Sequence, residues 1–266
     1  MIVKSRFKER ELTFILQRHS DFSAFYQVLV EKSYSHLMDN LTSGDTVVDA
    51  GANIGIFTVL ASTLVGDSGR VLAIEPDPEN LANLKRNIES NNLHNVEIVN
   101  RALYKKSGEK VKFFQSGVMS KVITSEVKNY SAYIDVETIT LDDLISQTRL
   151  RPSVLKMDIE GSEKFALLGA QATFGSLNYF EAEIHSKEDW DVLQRYTENF
   201  SLKTESIESM RNVLSFSIRR PWMTFKLECY NRFRTTKRVV FSRTKPVSSE
   251  YPIIVFGMRF RKEEVE

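Results

Sequence analysis

Two hydrophobic periods alternate along this chain, and the switches between them mark its elements. Between about residues 46 and 200, short apolar runs recur, separated by stretches in which apolar residues return every three or four positions. The apolar run opening TVVDAGANIGIFT (46–58), and the runs RVLAIEP (70–76), NVEIVNRAL (95–103), SVLKMDIE (153–160) and LNYFEAEIH (177–185), read as strands. Their dense apolar character suits a parallel sheet covered on both faces. Leu81, Leu84 and Ile88 follow the second strand at helical spacing, with Asp77 placed as N-cap and Pro78 at the first helical position. TLDDLISQ (140–147) opens another helix at Thr140. The alternation predicts an α/β fold with a doubly wound, mostly parallel sheet. Residues 1–43, apolar at Phe22, Phe25, Tyr26, Leu29 and Val30, read as a helical cap over the ligand end of a core at 44–218. Residues 104–139 lack a helical period and carry β-like pieces at 111–114 and 133–140. A final antiparallel pair is predicted at 213–218 and 253–259, with an insert at 219–250 between them and the last core strand and tail in 251–266.

Composition narrows the setting. The 266 residues are 42% hydrophobic and 27% charged, enough for one large domain with a full core. The single cysteine, Cys229, excludes an internal disulfide and a cysteine-rich zinc site, and fits a reducing, cytoplasmic location. No run of about eighteen apolar residues predicts a membrane span, and the charged N-terminus lacks a signal-peptide core. The net charge of +1 conceals an asymmetry: residues 219–245 hold nine Lys or Arg and one acid, Glu228, so the remainder is acidic. Within that basic insert, Pro221 opens a candidate helix with Trp222, Phe225, Cys229 and Phe233 along one side. A basic amphipathic segment suits an acceptor-side lid or a peripheral contact with an anionic membrane better than it suits nucleic acid.

The chemistry concentrates at the strand ends. In VVDAGANIGIFT (47–58) a strand ends in Asp49, turns at Gly51 and Gly55, and enters a helix whose free N–H groups face the turn. A dinucleotide fingerprint needs a middle glycine where this chain has Asn53. The carboxylate of Asp49 disfavours a diphosphate and favours a cationic or hydroxyl group, which fits S-adenosylmethionine better than NAD. Glu75 closes the second strand, where an acid holds a ribose diol, and Pro76 follows it. The end of the third strand, Asn100 to Ala102, is placed beside an adenine.

The fourth and fifth strands carry ionisable residues at every second position: Lys156, Asp158 and Glu160 on one, Glu181, Glu183 and His185 on the other. Buried acids are costly unless paired or functional. Methyl transfer to a hydroxyl needs a base, and Asp158, His185 and Glu160 are the candidates. A divalent metal on Asp158, Glu181 and His185 is an alternative way to acidify the hydroxyl. A structural network, with Lys156 neutralising one acid, is the other reading. Glu163 sits in the first turn of a helix at 162–169.

VVDAGANIGIFT, AIEPDPEN, TLDDL, LKMDIEGSEKFALLGA and EAEIH together resemble the FkbM-type S-adenosylmethionine-dependent methyltransferases over roughly 45–190. The resemblance implies a class I methyltransferase sheet, mostly parallel with a C-terminal antiparallel hairpin. It also implies O-methylation of a sugar, glycan, lipid or natural-product hydroxyl. Carried onto these motifs, Asp49, Gly51, Asn53, Gly55 and Glu75 bind the cofactor, and Asp158, Glu160 and Gly161 line the active site. An RNA methyltransferase using 219–245, and a non-catalytic binding module, are the competing readings.

Overall fold

The computed structural model describes residues 1–115, 121–122, 133–184, 187–196, 201–205 and 237–242. The chain opens with an antiparallel hairpin, β1 (Ile2–Phe7) and β2 (Arg10–Ile15), followed by α1 (His19–Phe25), a π-helical turn at Tyr26–Val30, and α2 (Ser35–Asp39). The core then runs β3 (Thr46–Ala50), α3 (Ile56–Val65), β4 (Arg70–Ile74), α4 (Pro78–Ser90) and β5 (Val96–Val99). A smaller β unit follows: β6 (Ala102–Leu103), β7 (Lys110–Phe114), β8 (Lys121–Val122) and β9 (Tyr133–Ile139). The core resumes with α5 (Leu141–Thr148), β10 (Val154–Met157), α6 (Glu163–Leu168), α7 (Gln171–Phe174), β11 (Tyr179–Ile184), α8 (Lys187–Tyr196), β12 (Ser201–Glu205) and β13 (Lys237–Ser242).

The main sheet has the order β12-β13-β11-β10-β3-β4-β5. Its five strands from β11 to β5 are parallel, and β13 runs antiparallel to both of its neighbours. This is the mostly parallel, Rossmann-like sheet with an antiparallel end that the class I methyltransferase fold requires. The chain builds outward from β3 in one direction and from β10 in the other, so a crevice opens at the C-terminal ends of those two strands. Strand residues alternate between two fully buried faces: Val48, Ala50 and Leu155 pack in the layer of α5–α7, while Val47 and Val154 pack against α3 and the N-terminal segment.

Two expectations need correction. Residues 1–43 are helical only from His19 on. Residues 2–15 form the hairpin instead, because IVKSRF and RELTFI follow a two-residue period, with Leu12 and Phe14 buried. Side-chain amides of α4 hold that hairpin. Asn87 Oδ1 accepts from Ile15 N–H at 2.6 Å, and Asn91 bonds both Thr13 N–H and Thr13 C=O at 2.8 and 2.7 Å. The antiparallel pair is present, but it is built from 201–205 and 237–242. The expected 213–218 and 253–259 lie outside the described residues, as does the candidate helix at Pro221. The apolar run in KRVVFS is only three residues long and sits inside the basic insert, which hid it as a strand. Among the described residues no helix is long and apolar enough to cross a membrane.

Candidate active site

Gly51 has φ +77°, and a Cβ there would lie 1.9 Å from the carbonyl oxygen of Asp158. Only glycine lets the turn after β3 lie on the segment after β10. The N–H groups of Gly51 and Ala52 both bond Ile74 C=O at 3.0 Å, so the turn is clamped to the end of β4. Asn53 takes φ +53° and bonds its side-chain oxygen to Ile54 N–H at 2.7 Å, a local bond that lets Asn adopt the left-handed region. Gly55 caps α3 at φ +84°, close against Leu84.

Glu75 is the hub of the turn. It is 4% exposed. Its Oε2 accepts from Asn53 N–H at 2.7 Å, and its Oε1 accepts from Asp77 N–H at 2.9 Å and Asn80 Nδ2 at 3.3 Å. Burial pushes its carboxyl pKa up to about 7, against the lowering by those backbone donors. Asn100 is exposed and donates to the carbonyls of Glu75 and Pro76, bracing the turn from outside.

One cavity, about 1000 Å³ with its open mouth included, unites these parts. Its wall includes Gly51, Ala52, Asn53, Glu75, Pro76, Arg101 and Ala102, and also Lys156, Asp158, Glu160, Ser162 and Glu183. Ala24, Gln27, Val28 and Tyr34 close it from the N-terminal segment. Asn100 and Gly55 support this wall without being part of it.

The acid–lysine alternation resolves into two layers. β10 ends at Met157, and Glu160 and Gly161 turn at φ +58° and +89°, so the strand period does not extend to Glu160. Lys156 stays inside the sheet, flanked by Asp49 of β3 and Glu181 of β11. Its Nζ lies 3.1 Å from Asp49 Oδ1 and 2.8 Å from Gly51 C=O. Burial lowers the Lys156 pKa, but Asp49, Asp158 and Glu75 outweigh that and hold it above the ordinary lysine value. Asp49 is fully buried, also accepts from Thr58 Oγ1 at 2.5 Å, and does not reach the cavity. The cation beside Asp49 in this structure is Lys156, and Asp49 lies behind the turn. Lys156 neutralises an acid, as the structural reading had it, and lines the cavity as well.

Asp158 lies at the cavity wall, its N–H bonded to Ala50 C=O at 3.0 Å, and its Oδ2 accepts from the Tyr34 hydroxyl at 2.9 Å. Tyr34 is 2% exposed and packs edge-on against Phe57 at 5.3 Å. Sequence reasoning missed it, because a single tyrosine before a short helix carries no spacing signal. Glu163 Oε1 accepts from Ile159 N–H at 3.1 Å and ties down the 158–161 turn, more than a helix-dipole role. Glu183 reaches the cavity, while Glu181 is buried in the sheet outside it, and His185 lies outside the described residues. Among the described residues no group of three or more His, Cys, Asp or Glu side chains is placed to hold a metal, so the Asp158–Glu181–His185 centre finds no support there.

The donor set fits S-adenosylmethionine. A carboxylate at the cavity wall is an acceptor suited to a diol, Gly51 has no side chain where the turn at 51–53 borders the cavity, and Pro76, Ala102 and Leu103 form an apolar stretch of wall suited to a purine. Comparison with known proteins agrees. Residues 49–218 match the FkbM methyltransferase domain. Hexuronic acid methyltransferase AglP of Haloferax volcanii is 27% identical over 170 residues, covering 64% of this chain and 68% of that protein. Among solved structures, methyltransferase FkbM from Methylobacillus flagellatus is 19% identical with a TM-score of 0.44, covering 72% of this chain and 53% of that one. An rRNA methylase from Streptococcus thermophilus is 12% identical with a TM-score of 0.49, covering 81% and 96%. With the glycine turn, Glu75 and the acids after β10 all inside the matched span, the chain belongs to the FkbM methyltransferase family and is an S-adenosylmethionine-dependent methyltransferase.

Proposed function

We propose that this enzyme methylates a hydroxyl of a sugar or glycan acceptor, with Asp158 as the base. The observation that carries this reading is the single cavity in which Glu75 and the Asp158 carboxylate are both wall residues, the second held by Tyr34. S-adenosylmethionine supplies an electrophilic methyl group when bound. Glu75 would hold its ribose diol, with Ala52 and Asn53 on the same cavity wall. Asp158 would take the proton of the acceptor hydroxyl as that oxygen gains the methyl group, the sulfonium leaving as a neutral thioether. The Tyr34 hydroxyl donates to Asp158 Oδ2, and the Lys156 ammonium attracts the same carboxylate, so both hold it in place. Glu160 and Glu183 add acceptors suited to further hydroxyls of a polyol. The hexuronic acid named for the Haloferax volcanii relative supports a sugar-type acceptor. The basic segment 219–245 would serve the acceptor side, as a lid over an anionic acceptor or a contact with an anionic membrane.

The test is transfer of a labelled methyl group to a panel of hexoses, hexuronic acids and their glycosides by wild type and Asp158→Asn. We expect Asp158→Asn to lose about 10²- to 10⁴-fold in kcat with S-adenosylhomocysteine affinity within about twofold of wild type. A variant as active as wild type would remove Asp158 from the base role. A panel with no acceptor would remove the sugar class.

A further inference from the structure

Arg18, upstream of the family match, reaches the cofactor side of the cavity through committed hydrogen bonds. Its Nη2 donates to Asn80 Oδ1, its Nη1 lies 2.9 Å from Glu79 Oε2, and its Nε lies 3.2 Å from Asp21 Oδ1. Asp21 is itself 1% exposed, and its Oδ2 accepts from Gln17 N–H, Arg18 N–H and Asn83 Nδ2 at 2.8 to 3.0 Å. The guanidinium is thus fixed on three sides. Asn80 is 2% exposed, and its Nδ2 donates to Glu75 Oε1 at 3.3 Å. A carboxamide has one accepting end and one donating end. With Arg18 on its oxygen, Asn80 can present only its NH₂ group to Glu75. Without Arg18 the amide is free to turn its oxygen toward Glu75, where it would accept from the protonated carboxyl and so favour the form that does not hold a diol.

We propose that Arg18 is a positioning residue for cofactor binding: through Asn80 it orients the Glu75 carboxylate and favours its ionised, diol-accepting form. This rests on reading Glu75 as the ribose acceptor. The charged groups around Glu75 are Asp77 and Glu79 at the start of α4, Arg18 and Asp21 from the N-terminal segment, and Lys156 from β10. Of these, only Arg18 acts on Glu75 through a neutral amide.

The experiment is calorimetric titration of S-adenosylhomocysteine into wild type, Arg18→Ala, Asn80→Ala and the double variant between pH 6 and 8. Arg18→Ala should weaken binding about 3- to 10-fold at pH 7 and move the midpoint of its pH dependence upward. The double variant should bind no worse than Asn80→Ala alone, since the two act in series. Arg18→Lys, which keeps the charge but not the three-sided geometry, should recover only part of the loss. Should Arg18→Ala not fold, Arg18→Lys takes its place in the cycle under the same criteria. Unchanged affinity and midpoint, or additive losses from Arg18 and Asn80, would overturn the proposal. Wild type that fails to bind S-adenosylhomocysteine would instead sink the cofactor reading of Glu75, and the relay with it.

Discussion

Glu75 is the residue whose protonation the cofactor should sense. Its carboxyl is raised to about 7 by burial, so near neutrality the free protein holds a mixture of acid and carboxylate. A diol donates hydrogen bonds, and the carboxylate accepts them better than the acid. Affinity for S-adenosylhomocysteine should therefore rise, by up to about tenfold per pH unit, as pH climbs through 7. It should flatten above about pH 8, and in Glu75→Gln the pH dependence should vanish. Stability runs the other way. The folded pKa lies above the ordinary 4.5, so the contribution is full below pH 4.5 and is lost as pH rises through 7, about 3 kcal/mol in all. The ligand-free protein should melt lower at pH 8 than at pH 6, and Glu75→Gln should narrow that gap. The Tyr34 hydroxyl sets a second test: Tyr34→Phe should lower kcat about tenfold while leaving S-adenosylhomocysteine affinity near wild type. If it weakens the cofactor instead, Tyr34 belongs to the methionine side of the cavity. Glu75 was legible in the sequence because an acid ending the second strand has few other uses. Tyr34 was not, because its role depends on a contact 124 positions away.

At the scale of elements, the close crossing of β3 and β10 decides the site. The turn at Gly51 is pressed on the backbone of Asp158, so Gly51→Ala adds both a clash with backbone and a side chain at φ +77°. It should destabilise by more than about 3 kcal/mol, measurable by denaturant unfolding. The two strands also share the Asp49–Lys156 pair, with both side chains buried. Lys156→Met leaves the buried Asp49 carboxylate without its cation, with only the Thr58 hydroxyl beside it, which should cost about 3–5 kcal/mol, whereas Lys156→Met with Asp49→Asn should recover most of it. If the double variant is no better than the single, the pair is not what Lys156 is for. Strand identity was readable from apolar density, and Asp77 and Thr140 do cap their helices as the pattern predicts. Strand length was not. The DIEG stretch continues the two-residue alternation in the sequence but leaves the strand at Met157, because positive φ at Glu160 and Gly161 is invisible to hydropathy. The N-terminal hairpin was readable in the two-residue period of 2–15; what hydropathy does not carry is that its outer edge is held by the Asn87 and Asn91 amides in place of a third strand.

Across the whole molecule, charge and catalytic parts are segregated: the family core is acidic, and the basic residues gather at 219–245. Replacing Arg232, Arg234 and Arg243 by Gln should leave S-adenosylhomocysteine affinity unchanged. It should weaken retention on anionic vesicles, or raise KM for an anionic acceptor, with the effect shrinking at high salt. Unchanged retention and KM would leave that segment without a role on the acceptor side. The family match begins at residue 49, yet Ala24, Gln27, Val28 and Tyr34 form part of the cavity wall. The pocket is thus assembled from a cup inside the matched domain and a rim upstream of it. Exchanging that upstream segment between two such cores would therefore change the acceptor's surroundings and the support of Asp158 together, so a transplanted preference would come with a changed rate.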